Sequence, residues 1–279
     1  MLSIKSTLIK LKNLHTFSDP FVSAASGLNL INNQFYLIAD DELFAVAVHK
    51  DFSFSKVITL FAGELATEKK LRKKMKPDLE SMVELPSGDI LCVPSGSEKH
   101  RTQGVIIKKN NHGVEYLNFK GLYQELNKTF SELNIEGAII INEWLRLFQR
   151  GNGKKRQNAT VDIHLVDLLK GKIKISYVKY YDLGLLNGAP LSFTDATLTN
   201  NRIHFLAAAE DCESTYLDGE IKGSVLGTMD LAGNLLRLES LDLKSKPEGL
   251  CSDLENFYVV TDDDDRVKPS SLFSGKLPL

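Results

Sequence analysis

The segment SGLNLINNQFYLIADD, residues 26–41, sets a pattern that the chain repeats. A polar residue and a small one open it. An apolar stretch follows, then the turn Asn32-Asn33, then a second apolar stretch that ends in charge. ESMVELPSGDILCVPSGS (80–97), EGAIIINEWLRLFQRGN (136–152), DATLTNNRIHFLAAAED (195–211) and EGLCSDLENFYVVTDDDD (248–265) read the same way. Their starts are 54, 56, 59 and 53 residues apart. A period near 56 suits four short strands per unit, the size of a propeller blade.

The rest of each unit supplies two more strands. Third strands are expected over 43–48, 104–108, 159–166, 224–230 and 271–276, and fourth strands over 57–61, 114–119, 173–181 and 235–243. The fifth unit runs out before a fourth strand, and residues 4–11 form a spare one at the other end of the chain. The reading is an all-β, five-bladed β-propeller of four-stranded blades, one domain over 1–279, closed by its N-terminal strand. Closure of this kind removes an open edge. Residues 64–75 and 121–133 have helical spacing and are expected as amphipathic turns on the rim or, as the alternative, a surface for a protein partner.

Inner strands line a propeller's channel, so residues one blade apart share a level around the axis. Ser26, Glu80, Glu136, Asp195 and Glu248 are assigned to that level. Four converging carboxylates need compensation, because like charges at short range repel strongly unless screened. A hard divalent cation would provide it, with Ca²⁺ best suited to an irregular ring of oxygens. No His or Cys falls on the ring, which argues against zinc. The competing reading has the same acids hydrogen-bonding across the channel as staples.

The loops after the second strands reach the same face and carry Asp41, Lys99, Arg101, Arg150, Arg156, Asp211 and Arg266. This charge around a metal suits an anionic small-molecule ligand, with Asp41, Lys99, Arg101, Arg156, Asp211 and Arg266 as substrate-binding candidates. Composition adds limits. Net charge is −2 over 279 residues, which gives no basis for nucleic-acid binding. No stretch nears the ~20 apolar residues of a membrane span. Three separated cysteines and no secretory signal fit a cytoplasmic protein. P-loop, GxSxG and HExxH motifs are absent.

The ring order and two short motifs resemble the calcium-activated nucleotidases (apyrases). That family's Ser-Glu-Glu-Ser-Glu ring is similar to Ser26, Glu80, Glu136, Asp195 and Glu248. FYLIADD (35–41) is similar to its LYSVDD-like stretch, and RLFQR, ending at Arg150, lies where it carries phosphate-facing arginines. Asp195 departs from the family serine. The resemblance implies a calcium-dependent hydrolase of phosphoester or phosphoanhydride bonds. Glu80, Glu136 or Glu248 would act as base, and Arg150, with Arg101 or Arg156, would stabilise developing charge. Glu-Gly at a blade start is also similar to propeller lactonases and phytase-like esterases. A non-catalytic propeller binding a ligand or protein, and a five-bladed glycosidase, are the alternatives from other classes.

Overall fold

The computed structural model describes residues 5–210, 221–263 and 265–278. Its sheets form five blades around a channel. Blade I comprises Ala25–Ile31, Gln34–Ala39, Phe44–His49 and Ser55–Thr59, from the axis outward. Blade II comprises Leu79–Glu84, Ile90–Pro94, Gln103–Ile107 and Val114–Asn118, and blade III Ile135–Ile141, Trp144–Gln149, Asn158–His164 and Ile175–Tyr181. Blade IV runs Ala189–Thr199, Arg202–Glu210, Ile221–Met229 and Leu235–Asp242.

Blade V is composite. Lys246–Ser252, Asn256–Asp262 and Ser271–Lys276 are completed by Lys12–Thr16, antiparallel to Ser271–Lys276. The ring is closed by the N-terminal region, as expected, but by a different strand. Residues 4–11 do not close it: Lys5–Lys10 instead pairs in parallel with Leu235–Asp242, as a fifth strand on blade IV. Both segments alternate polar and apolar residues, so pattern alone does not choose between them.

Local chemistry explains the hairpins. Asn32 and Asn33 have φ of 50° and 60°, and Asn200 and Asn201 have 53° and 56°. These are the left-handed pairs that tight hairpins need and that asparagine tolerates. Apolar residues on facing blades pack into five interblade cores. Near the axis the blades meet backbone to backbone. A Cβ on Gly137 would lie 3.1 Å from the Ala196 nitrogen, and one on Gly249 2.9 Å from the Leu28 nitrogen.

The two helical stretches dock differently. In α2 (Lys120–Leu126), Leu122, Tyr123 and Leu126 are buried, and Phe130 and Leu133 follow them into the core between blades II and III. In α1 (Lys69–Met75) the buried residue is Arg72, held by Asp41 and Glu42. Cys92 and Cys251 are free and buried, while Cys212 lies outside the described residues. Among the described residues, no helix is long and apolar enough to cross a membrane.

Candidate functional site

Each inner strand contains a bulge near its start, where one residue falls out of register with the second strand. The skipped residues are Ser26, Glu80, Glu136, Thr194 and Glu248. Bulges reset side-chain direction and recur beside functional sites. Four of the five ring assignments coincide with this position. The fourth is corrected: Thr194 occupies the level in blade IV, and Asp195 lies one residue further along, level with Gly27, Ser81, Gly137 and Gly249.

Asp195 is placed as a staple across the channel. Its Oδ1 accepts from Ser81 Oγ at 3.1 Å and its Oδ2 from the Leu250 amide at 2.7 Å, tying blade IV to blades II and V. Burial pushes its carboxyl well above the usual range, against those hydrogen bonds. Ser26 Oγ donates to the Leu79 carbonyl at 2.6 Å, from blade I to blade II. Thr194 Oγ1 is buried without a partner.

Glu80, Glu136 and Glu248 line one cavity at the channel mouth, with about 80 Å³ of free volume. That is room for a few waters or an ion. Arg101 and Arg150 line it too, and both are buried. Arg150 is not free to meet a ligand with its whole guanidinium. Nη1 reaches Glu136 at 3.2 Å and Nη2 reaches Glu210 at 2.5 Å. Arg101 Nη1 reaches Asp78 at 2.8 Å.

The other assigned residues lie elsewhere. Lys99 and Arg156 are exposed and outside the cavity wall. Arg266 donates to the Thr67 carbonyl, and its Nε is 3.8 Å from Asp41. Asp41 is buried against Arg72 on the rim and does not line the cavity. Asp211 lies outside the described residues. Charged loops spread outward here, so membership of the right face does not bring these side chains to the axis.

Several cavity residues were not singled out by the repeat. Asp78, Asn134 and Lys246 each lie two residues before a ring glutamate, and the alternation of a strand returns them to the same side. Lys246 Nζ bonds Glu248 Oε1 at 2.5 Å and lies 3.4 Å from Glu210. Lys76, just beyond α1, sits on Asp78 at 2.7 Å and also contacts Asp40. A charged residue two positions before the ring residue was the available signal.

The electrostatics are unbalanced. Lys76, Arg101, Arg150 and Lys246 bring four positive charges, while Asp40, Asp78, Glu80, Glu136, Glu210 and Glu248 bring six negative ones when ionised. Lys73 and Asp262, also in the wall, add one of each sign. Burial pushes Asp40 up to about 6 against the pull of Lys76. Burial and the charge of Glu136 push Glu80 well above the carboxylate range. Burial also raises Glu136 and Glu248. For Asp78 burial is outweighed by Lys76 and Arg101, which hold it at about 2. Burial at Glu210 is likewise outweighed, by Arg150 and Lys246, which keep it low.

Two of the raised acids belong to a tighter group. One oxygen each from Asp40, Asp78 and Glu80 lies within 4.8 Å of the others. Among the described residues, the Glu80 carboxyl carries no hydrogen bond and Glu248 Oε2 is buried without a partner. An all-oxygen donor set with surplus negative charge fits a hard cation better than a soft one.

Comparisons place this geometry among known folds. An α-L-arabinofuranosidase from Podospora anserina, in complex with cellotriose, superposes with a TM-score of 0.53 at 11% identity, covering 98% of each chain. A glutaminyl cyclase from Myxococcus xanthus gives 0.52 at 8%, over 98% of this chain and 100% of that one. The calcium-binding protein regucalcin from Agrobacterium tumefaciens gives 0.50 at 9%, over 99% and 98%. At such identities the likeness is one of fold. No curated protein matches the sequence. Of what the resemblance to the calcium-activated nucleotidases implied, the five-bladed propeller is present. Residues 21–277 match the model described as "Family of unknown function (DUF6929)", and the chain belongs to that family.

Proposed function

We propose that the channel mouth is a hydrolase site that uses a hard divalent cation, Ca²⁺ first among them, and acts on an anionic, phosphorylated small molecule. The observation that carries this reading is the surplus of carboxylates over cations at the cavity, two once Glu210 behind the wall is counted, together with the all-oxygen donor set of Asp40, Asp78 and Glu80. One divalent ion discharges it. Asp40, Asp78 and Glu80 would hold the ion, with Glu136 and Glu248 facing it. When bound, such an ion supplies Lewis-acid polarisation of a phosphoryl oxygen. Asp195 is left out of the ligand set because it lies one residue beyond the ring level, outside the cavity wall, where it ties blade IV to blades II and V.

The chain's own groups supply the rest. Lys76 holds Asp40 and Asp78 in place until a cation competes for them. Arg150 and Lys246 orient Glu136, Glu210 and Glu248. Burial and the charge of Glu136 raise the Glu80 carboxyl, so a bound cation would take the place of its proton.

Titration calorimetry with Ca²⁺, Mg²⁺ and Mn²⁺, paired with phosphate-release assays on nucleotides and sugar phosphates, tests the reading. The expected result is one ion per chain, lost in Glu80→Gln, and turnover that requires it. Metal binding without turnover on any substrate would leave a binding propeller instead. Absence of metal binding would overturn the site.

One observation favours a glycosidase as the second reading. Asp78 is held low by Lys76 and Arg101 while burial raises Glu80 in the same cavity, the opposed shifts that acid–base pairs use. The fold shared with the arabinofuranosidase is compatible with it. Metal-independent cleavage of aryl glycosides would favour this reading over the first.

A further inference from the structure

Five seams separate the blades, and one row of side chains can be followed through all of them. Register places Tyr36, Leu91, Arg146, His204 and Tyr258 at equivalent points of the second strands. Their cross-strand partners are Ala47, Ile106, Asp162, Thr228 and Ser274.

Four of these rows are filled by the protein itself. Between blades I and II, His112 approaches Tyr36 Oη at 3.5 Å and Lys56 Nζ at 2.9 Å. Leu91 and Ile106 join the apolar core between II and III. Between III and IV, Arg146 grips Asp162 at 2.6 and 2.7 Å and donates to the Leu231 carbonyl at 3.0 Å. Between V and I, Lys50 bonds Asp253 at 2.8 Å and lies 5.1 Å from the Tyr258 ring centre.

His112, Leu231 and Lys50 share an origin. Each lies in the turn that joins the third strand to the outer strand of the following blade. Blade V has no such turn, because its outer strand, Lys12–Thr16, comes from the other end of the chain. Among the described residues the seam between IV and V therefore has no such plug. Its apolar core has six buried residues, and each of the other four cores has more than twice as many among the described residues.

The open seam is a cavity of about 740 Å³, within the range of small-molecule sites. His204, 4% exposed, and Thr228 form its buried polar part, with His204 Nδ1 3.3 Å from Thr228 Oγ1. The other ring nitrogen has no hydrogen-bond partner among the described residues. Arg202 has no ion pair among the described residues, and Arg237 is 3.6 Å from Glu239, beyond hydrogen-bond reach. Glu255 is paired with Lys276 at 3.2 Å. Leu236, Leu254 and Leu277 supply apolar wall.

We propose that this seam binds a small amphipathic carboxylate, with its carboxylate on Arg202 and Arg237 and its hydrocarbon against Leu236, Leu254 and Leu277. His204 and Thr228 meet the ligand from below. The site is independent of the channel mouth, since its lining shares no residue with that cavity.

Calorimetric titration of the intact protein with butyrate, hexanoate and octanoate tests the proposal, with octanamide as the neutral counterpart and inorganic phosphate as the other anion. Affinity is expected to rise with chain length. Octanamide and Arg202→Gln should each weaken octanoate-type binding by about tenfold or more, the loss of a charge-assisted hydrogen bond. Leu236→Trp should block the cavity and leave the melting temperature unchanged, because Leu236 is half-exposed. No saturable octanoate binding below about 10 mM overturns the site. So does wild-type affinity in both variants, and phosphate binding in place of octanoate overturns the carboxylate assignment.

Discussion

The two ends of the channel are built from the same inner strands and differ in every other respect. At the mouth, Glu80, Glu136 and Glu248 stand among Arg150, Lys246 and Lys76. Two to four residues further along, Val83, Ile140 and Leu250 line the far end together with Leu30 and Leu198, around about 250 Å³. Glu84, exposed, is the carboxylate of that wall among the described residues. The bulge separates the two regimes. Before and at it, side chains face counter-ions from neighbouring strands. Beyond it, apart from Asp195 and the exposed Glu84, the wall is uncharged, with Asn29, Thr197 and Ser252 among aliphatic neighbours. Position along a strand, rather than strand identity, decides where charge is tolerated in this molecule.

The largest expected effect comes from breaking the charged end. Arg150→Met leaves Glu136 and Glu210 buried without their partner and should lower unfolding free energy by about 3–5 kcal/mol in urea titrations. Ile140→Ala at the other end removes part of a half-buried side chain and should cost about 1 kcal/mol. Equal losses would erase the contrast.

A smaller effect is expected from pH. The folded pKa of Asp40 is raised to about 6 from 3.8. Its contribution to stability is therefore fully present below 3.8 and lost as pH rises through 6. Glu80 acts in the same direction. Asp78, lowered to about 2, acts oppositely: its contribution is present above 3.8 and is lost as pH falls through 2. Between pH 7 and 4 the melting temperature should rise, by about 2 °C or more, relative to Asp40→Asn. Saturating Ca²⁺ should flatten that rise if the cation replaces the protons. An unchanged slope would separate the acid group from metal binding.

The smallest effect is expected at Thr194. Its hydroxyl is buried without a partner, so Thr194→Val should change stability by less than about 0.5 kcal/mol. A loss of several kcal/mol in thermal or urea unfolding would mean that the hydroxyl has a partner in solution.

Much of this was legible in the chain itself. The repeat gave five blades, and in four of them the ring residue opens the repeat. The fifth assignment slipped because Asp195 resembles the other acids by type, while the bulge that defines the level skips Thr194. Register is a property of paired strands and cannot be seen in one of them. Lys246 and Asp78 were visible two positions ahead of ring glutamates but carry different charges, so no repeat consensus marked them. Lys76 belongs to a connection between blades, where periodicity has nothing to say. The compensating cations were the part of the site that sequence hid, and they change its chemistry from four bare acids to a partly neutralised network that keeps a surplus of negative charge.

The N-terminal segment has an implication for how the chain reaches this state. Lys5–Lys10 lies on blade IV and Lys12–Thr16 on blade V, with Leu11 alone between them. These early strands thus find their sheets only after blades IV and V have emerged from the ribosome. Blades I to III can assemble during synthesis. The latch across IV and V must wait for both blades, and until it engages, two outer strand edges stand open to other chains.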